Sequence, residues 1–287
     1  MPLAERRPVV PPERPVLVIA MEGWIDAGFA AATAMSTLLG SMHTELLATF
    51  SADELIDHRA RRPRLRIDDG VRGAITFAEP QLLVGTDRLG SGVAFLVGPE
   101  PDYRWRSFSA EVAGLALELG VRLVVGLGGF PTGTPHTRAV RLASTASSSE
   151  LARKVGFVPG ALEVPAGIGE VIAAGCSELG MPSVGLWARV PHYVSAMPFP
   201  AAALALVDGL ANVSGLVIDT DDLRETAEAG KRRVDELIAE SAEHVEMVRQ
   251  LEQQANESDV EGDGFGAEIP SGEEIAAELE RYLRGEV

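Results

Sequence analysis

The sequence is poor in cysteine and aromatic residues, and it has no long hydrophobic run. Its 287 residues include one cysteine, Cys176, which excludes an intramolecular disulfide framework and a zinc site built on cysteines. No apolar stretch approaches the ~18 residues that a membrane-spanning helix needs. The first fifteen residues hold prolines and charges rather than the hydrophobic segment of a secretory signal. We therefore expect a cytoplasmic protein.

Basic residues are also scarce, since 25 Lys and Arg stand against 42 Asp and Glu, for a net charge of −17. One short basic run, RARRPRLR, occupies residues 59–66. Nucleic acids and anionic membranes are bound through clustered Lys and Arg, so neither is expected as a partner. Residues 216–287 hold 21 acidic and 7 basic residues, so the excess of acid belongs mainly to the C-terminal quarter.

The body of the chain alternates short apolar runs with amphipathic stretches that end near glycines. The runs typical of buried strands are residues 16–20, 46–50, 81–85, 92–98, 121–129 and 182–190. The stretches typical of helices are residues 29–40, 107–120, 165–180 and 198–215. A hairpin is expected between residues 74–77 and 81–85, and a further strand within 137–145. This alternation predicts an α/β core domain over residues 16–218, preceded by an extended lead-in at 1–15.

The acidic C-terminal quarter is predicted to be helical. One helix of about 30 residues is expected within 219–253, a polar mobile linker at 254–270 and a short amphipathic helix at 271–287. The apolar stripe of the long helix is expected to contact another protein surface and contains Leu223, Val234, Leu237, Val245 and Val248. The terminal helix has an apolar face that must also dock, formed by Ile275, Leu279, Tyr282 and Leu283.

A glycine-bounded turn, GWIDAG, follows the first predicted strand. Its candidate residues are Gly23, Trp24, Asp26 and Gly28. Ligands of open α/β sheets bind at the carboxyl ends of strands, so a site here is one hypothesis. The turn lacks the middle glycine of a dinucleotide-binding fingerprint and the Lys-Ser/Thr ending of a phosphate loop. The alternative is a tight turn in which Asp26 caps the following helix.

The basic run contains a second group of candidates, Asp57, Arg59 and Arg62. A guanidinium can bind a carboxylate through two parallel hydrogen bonds, so Asp57 is expected to pair with Arg59 or Arg62. Such a pair would hold a loop or meet the acidic residues of a partner. The alternative is an ordinary surface ion pair.

A loop after the strand at 121–129 holds the third group, Pro135, His136, Thr137 and Arg138. His136 is a candidate general base and Arg138 a candidate anion ligand. His192 and Tyr193 follow another strand and are expected at the same rim. No acidic residue lies near His136 in sequence to orient it, and the alternative is a loop that only fixes turns. No His or Cys spacing indicates a metal site, and no catalytic set is predicted.

Five motifs in order resemble one family. They are GWxDAG at 23–28, DxRxxRP at 57–63, PHTR at 135–138, GLWAxVPHY at 185–193 and PxPAAA at 198–203. The chain resembles the proteasome assembly chaperone 2 family, in its actinobacterial-type branch, from about residue 16 to residue 251. The resemblance implies a nucleoside-phosphorylase-like, three-layer α/β/α sandwich with a mixed sheet, followed by a C-terminal helical extension.

The same resemblance implies a non-catalytic assembly chaperone without a cofactor. Its partners would be proteasome subunits and copies of itself, with a trimer favoured. The chain ends Arg-Gly-Glu-Val, which departs from the hydrophobic-Tyr-any tail that many eukaryotic relatives insert into the proteasome. Two other hypotheses remain open. One is a nucleoside- or phosphate-like ligand in a cleft lined by the candidate residues, and the other is a structural oligomer kept soluble by its acidic segment.

Overall fold

The computed structural model describes residues 3–261, with side chains over residues 3–257. The strands of this part of the chain are β1 Ala4–Arg6, β2 Val16–Ile19, β3 Thr44–Phe50, β4 Arg64–Asp68, β5 Val71–Thr76, β6 Gln81–Thr86, β7 Gly92–Val97, β8 Leu123–Thr132, β9 Leu142–Ala146 and β10 Ser183–Pro191. Its α-helices are α1 Ala30–Ser41, α2 Ala52–Leu55, α3 Trp105–Glu118, α4 Ser149–Val155, α5 Ile168–Glu178, α6 Pro200–Ser214, α7 Asp221–Ala239 and α8 Ala242–Glu261. Two short 3-10 helices lie at Ala27–Phe29 and His192–Val194.

Within residues 3–261, eight strands form one mixed sheet in the order β1-β3-β6-β7-β2-β8-β10-β9. Strands β7, β2, β8 and β10 are parallel neighbours at its centre. Strands β6 and β9 run antiparallel beside them. The carboxyl ends of the four parallel strands therefore meet at one edge of the sheet, which we call the carboxyl edge.

Strand β2 shows why the domain has three layers. Its four residues are all buried, and alternate side chains point to opposite faces of the sheet. Val16 and Val18 pack into the core that contains α1 and α6, whereas Leu17 and Ile19 pack into the core that contains α3 and α5. A buried aliphatic side chain contributes roughly 1.5–3 kcal/mol, so both faces stabilise the domain. The predicted α/β/α sandwich with a mixed sheet is confirmed.

The predicted hairpin between residues 74–77 and 81–85 is wrong. Strand β5 pairs with β4, from Leu65 opposite Ile75 to Asp68 opposite Val71, and β6 pairs with β3 and β7. We call this separate two-stranded unit, residues 64–76, the ribbon. Asp69 and Gly70 at its tip have φ angles of 49° and 81°, which suit a tight two-residue hairpin turn. The Asp-Gly pair, rather than the Ala-Glu-Pro segment at 78–80, makes the turn.

The first residues of the chain belong to the sheet, although the sequence predicts only an extended lead-in. Strand β1 pairs with β3, and the Leu3 side chain is buried. The backbone N–H groups of Leu3 and Ala4 donate to the Glu111 carboxylate of α3, at 2.7 and 2.8 Å. The start of the chain is therefore held to one edge of the sheet and to the helix beneath it.

The single long helix predicted within 219–253 is wrong, because α7 and α8 are separate helices. Ser241 lies between them, where its carbonyl accepts the N–H of Val245 at 3.0 Å and its hydroxyl accepts that of His244 at 3.4 Å. A serine that caps one helix in this way ends the preceding one. The predicted linker is also wrong over residues 254–261, which continue α8. The rest of the linker and the helix at 271–287 lie outside the described residues.

The apolar stripe of this region packs on the body of its own chain. Leu223, Val234 and Val248 are buried, and the first two join the core beside α6. Leu237 is half-buried, and Val245 remains exposed. The stripe was expected to contact another protein, but most of its side chains are buried against the same chain. The other interaction candidates, Ile275, Leu279, Tyr282 and Leu283, lie outside the described residues. None of the described helices is both long and apolar enough to span a membrane.

Candidate functional site

The turn after β2 is built around Asp26. Its two carboxylate oxygens accept the backbone N–H groups of Ala31 and Ala32, at 2.7 and 3.0 Å. These N–H groups belong to the first turn of α1, where no earlier carbonyl is available to them. Burial raises the pKa of Asp26, and the N–H bonds act against that rise. The Asp26 carboxylate thus caps the N-terminus of α1.

Gly28 lets this turn approach the end of β10. Its φ of +66° is left-handed, and a Cβ there would lie 3.0 Å from Phe199 Cβ and 3.2 Å from Val190 Cγ1. Its N–H donates to the carbonyl of Ser195 at 2.7 Å, and its carbonyl accepts the N–H of Phe199 at 2.9 Å. A side chain at this position would be strained and crowded. The glycine is therefore explained by packing.

Trp24 and Ile25, beside the cap, line a shallow cleft at the carboxyl edge. The other lining residues are Ile19, Met21, Glu100, Gly126, Leu127, Gly167, Ile168, Gly169, Glu170 and Trp187. Its cavity volume of about 60 Å³ holds a few water molecules rather than a nucleoside. Gly167 is required where Trp24 packs, because a Cβ there would lie 2.9 Å from the indole Cδ1.

Glu100 joins the floor of the cleft to the base of the ribbon. Its carboxylate is buried and accepts the N–H of Ile168, at the start of α5, at 2.6 Å. Its carbonyl accepts from Arg61 Nη1 at 2.8 Å, and the same nitrogen lies 2.8 Å from the Asp102 carboxylate. Sequence patterns did not single out Glu100, and they named Arg61 only as a member of the arginine run after Asp57. The first follows a strand without a motif, and the second lies in a run of arginines.

The ion pair predicted for Asp57 is replaced by a local turn. The Asp57 carboxylate accepts the backbone N–H of Arg59 at 2.8 Å, and this bond is the largest cause that lowers the pKa of Asp57. The ion pair of this segment joins Arg61 to Asp102 instead. Asp102 lies after β7, and its carboxylate also accepts the backbone N–H of Asp57 at 2.7 Å. Neither Arg59 nor Arg62 makes the expected bidentate contact with Asp57.

His136 is buried and makes three polar contacts. Its backbone N–H donates to the Tyr193 hydroxyl at 2.8 Å, its Nδ1 lies 2.7 Å from the same hydroxyl, and its Nε2 lies 2.9 Å from Asp235 Oδ1. Since the phenol oxygen accepts the backbone N–H, its own hydrogen is placed to be donated to Nδ1. The ring proton then sits on Nε2 and is donated to Asp235.

The Tyr193 hydroxyl stays protonated at ordinary pH. Burial is the main cause that raises its pKa, to about 12, and the negative charges of Glu252 and Asp235 add to it. The hydrogen bond from the His136 backbone acts in the opposite direction. A neutral phenol can both accept from the backbone and donate to the imidazole. The pair therefore forms a satisfied buried network.

The rest of the loop at 135–138 is bound by the C-terminal helices. Thr137 Oγ1 donates to Glu252 at 2.5 Å, and the Thr137 carbonyl accepts from Lys231 Nζ at 3.2 Å. The Arg138 guanidinium donates to Asn256. We call these contacts, together with those of His136 with Tyr193 and Asp235, the latch. These contacts hold α7 and α8 on the sheet. They also occupy His136 and Arg138, the side chains that the sequence suggested as a general base and an anion ligand.

The candidates that were expected to form one rim at the strand ends therefore lie in two separate places. His136 and Tyr193 belong to the latch, and the ring of His192 packs edge-on against Tyr193, with 5.3 Å between centroids. Trp24 belongs to the cleft, whose lining includes neither histidine. Over residues 3–257, no group of three or more His, Cys, Asp or Glu could hold a metal. Burial raises the pKa of the Cys176 thiol to about 11, which suits a packed side chain rather than a nucleophile.

Comparisons with known proteins agree with these motifs. The profile of the PAC2 family matches residues 20–238. A Streptomyces avermitilis PAC2 family structure is 39% identical, over 82% of this chain and 99% of that one, with a TM-score of 0.72.

Two Mycobacterium tuberculosis structures are also similar. The proteasome-assembly chaperone homologue Rv2125 is 36% identical over 81% of this chain and 99% of its own, with a TM-score of 0.75. The protein of unknown function Rv2714 is 33% identical over 88% and 90%, with a TM-score of 0.82. A search of curated protein sequences finds no significant match. The order of motifs, the fold and these identities together show that the chain belongs to the PAC2 family.

Proposed function

We propose that this protein is a non-catalytic, assembly-chaperone-like protein that acts by binding other proteins, with proteasome subunits as the partner. Its relative Rv2125 is described as a proteasome-assembly chaperone homologue, and its sequence is 36% identical. The chemistry of the site also supports a role in protein binding rather than in catalysis. The side chains that could act on a substrate are bonded within the latch, and the cleft has room for a few water molecules.

One observation carries the proposal: the turn after β2 exposes three large apolar side chains. Trp24, Ile25 and Phe29 are 46%, 41% and 48% exposed at the carboxyl edge. Their backbone is held by the Asp26 cap and by Gly28, so the surface is rigid. Apolar patches of this kind, rimmed by polar residues, mark protein contacts. Aromatic side chains contribute disproportionately to such contacts.

The experiment is capture of the tagged full-length chain from its native cell, with the bound proteins identified by mass spectrometry. We expect enrichment of proteasome subunits, and an at least tenfold loss in Ile25→Asp, because a charge in the middle of the apolar surface must be desolvated on binding. Leu89→Asp is the matched control. Leu89 is also exposed, at 77% against 41% for Ile25, and it lies in the β6–β7 turn at the opposite edge of the sheet. Capture without proteasome subunits, or equal loss in both variants, would refute the proposal.

The proposal includes a homo-oligomer in the cytoplasm. A surface that binds protein at one edge of a sheet can also bind copies of the chain in a closed ring. Native mass measurement should give a multiple of the 30.4 kDa chain, with a trimer as the family resemblance suggests. A mass of one chain at micromolar concentration would overturn the oligomer without affecting the capture result. Fractionation of the native cell would test the location.

A further inference from the structure

The ribbon presents an apolar face that the body of the protein leaves uncovered. Leu65 lies opposite Ile75, and Ile67 follows two residues along β4, opposite Arg72 after a register shift. Phe77 comes two residues after Ile75, just beyond β5, with its ring centroid 5.0 Å from that of His58. We call Leu65, Ile67, Ile75 and Phe77 the ribbon face, and they are 44–61% exposed. Every residue of β4 and β5 is exposed. Isolated two-stranded hairpins are only marginally stable in water, so an uncovered apolar face needs an explanation.

The charges around this face indicate an acidic occupant. Residues 59–66 contain five arginines, and Arg72 adds another positive charge on β5. Arg61 pairs with Asp102 and Arg66 with Asp68, so Arg59, Arg62, Arg64 and Arg72 are the arginines that exceed the local carboxylates. Residues 262–287 of the same chain contain seven acidic and two basic residues. Their sequence places Ile275, Leu279, Tyr282 and Leu283 at helical spacing. The apolar face of this C-terminal segment is bordered by acidic residues, and the ribbon face is bordered by arginines, so the two are complementary in charge.

The two faces also match in length. From the level of Phe77 to Ile67 the ribbon spans four residue steps, about 13 Å at 3.3 Å each. From Ile275 to Leu283 a helix would rise over eight residues, about 12 Å. Two rows of side chains of this length can interdigitate along their whole extent.

The chain outside the structure is long enough for the contact. Helix α8 ends at Glu261, and the thirteen residues from 262 to 274 can span at most about 45 Å. Helix α8 and Arg61, just before the ribbon, both contact loops at the carboxyl edge of the sheet. Helix α8 binds Thr137 in the loop after β8, whereas Arg61 at the base of the ribbon binds Glu100 after β7. Strand β2 alone separates β7 from β8.

We propose that residues 271–287 dock on the ribbon face of their own chain and cover it. This inference goes beyond the proposed function and does not depend on it.

Cysteine cross-linking in the full-length chain tests the contact. Cys176 is buried, so new thiols can be introduced without removing it. The pair Ile67→Cys with Leu279→Cys should form a disulfide at least tenfold faster than Leu89→Cys with Leu279→Cys. Leu89 is exposed at the opposite edge and is the matched control. Equal rates would overturn the proposal, as would a disulfide that forms only between chains when the single variants are mixed.

A second measurement does not depend on new cysteines. Hydrogen exchange of residues 64–76 should become at least fivefold faster in the full chain carrying Leu279→Asp with Leu283→Asp. Ala277→Asp adds the same charge at a position that helical spacing places on the opposite side, and it should leave exchange unchanged. In the cross-linking assay, Arg64→Glu with Arg72→Glu should slow disulfide formation at least fivefold. Unchanged exchange in the double variant, or unchanged cross-linking after charge reversal, would count against docking on this face.

Discussion

Among single residues, His136 shows that a histidine in a position typical of a catalytic base can have a structural role in the latch. His136 is almost fully enclosed, and its backbone N–H and both ring nitrogens have partners. A general base needs a face open to a substrate, and this imidazole has none. Its partners instead fix the position of the loop at 135–138 relative to α7.

Asp235→Ala should lower the free energy of unfolding by about 1–3 kcal/mol, because it leaves the buried Nε2–H of His136 without an acceptor. Glu236→Ala is the control, since that side chain is exposed next to Asp235 and makes only a long surface contact with Arg233. Urea denaturation of both variants measures the difference. Equal effects would show that the histidine contact does not stabilise the fold.

Tyr193 predicts a loss of stability in strong alkali. Its pKa is about 12 in the folded protein and 10.0 ordinarily, so the folded state holds the proton more tightly. Its contribution is therefore complete below pH 10 and is lost as the pH rises toward 12, with a slope of at most about 1.4 kcal/mol per pH unit. Tyr193→Phe should flatten that part of the curve. A curve for Tyr193→Phe that runs parallel to that of the unaltered protein would contradict the assignment.

At the scale of elements, the C-terminal helices are part of the body and not a free arm. Helix α7 packs on α6, and α8 returns over the loop after β8. Leu251 lies 3.8 Å from the position of a Cβ on Gly133, so α8 closes directly over that loop. The break at Ser241 allows this return, which a continuous helix could not make.

Two valines on α8 provide a matched test of this docking. Val248→Ala should cost about 1–2 kcal/mol, because its side chain is buried, whereas Val245→Ala should change stability by less than about 0.5 kcal/mol, because its side chain is exposed. The substitution is the same, and both positions lie in one helix. Thermal or urea unfolding compares them, and similar losses would show that α8 does not dock by this face.

At the scale of the whole molecule, one sheet couples two cores. Strand β2 contributes Val16 and Val18 to one core and Leu17 and Ile19 to the other. Disruption of either face should therefore affect the same sheet and the same cooperative transition. The ribbon is the exception, since it pairs only with itself.

Leu206→Ala on α6 and Ile172→Ala on α5 should each lower the free energy of unfolding by about 2–5 kcal/mol, because both side chains are fully buried. Both should shift one urea transition, with coincident curves from circular dichroism and tryptophan fluorescence. Two transitions that respond separately to the two substitutions would show that the layers unfold independently.

The layered architecture follows from local sequence patterns. A buried parallel strand needs apolar side chains on both faces, so VLVI at 16–19 could be recognised without any partner. Local chemistry likewise specified the Asp26 cap, whose N–H donors lie five and six residues away. The five ordered motifs identified the family on the same local basis.

The partners of the latch and the isolation of the ribbon, in contrast, depend on contacts between segments that are far apart in sequence. Asp235, Glu252 and Asn256 meet the loop at 135–138 across 99, 115 and 118 residues, and no pattern in those helices marks them. The order of the strands brings such segments together, and that order depends on the packing of the whole core. Short-range rules describe a strand or a turn, whereas the choice of a distant neighbour is made by the sum of all buried contacts.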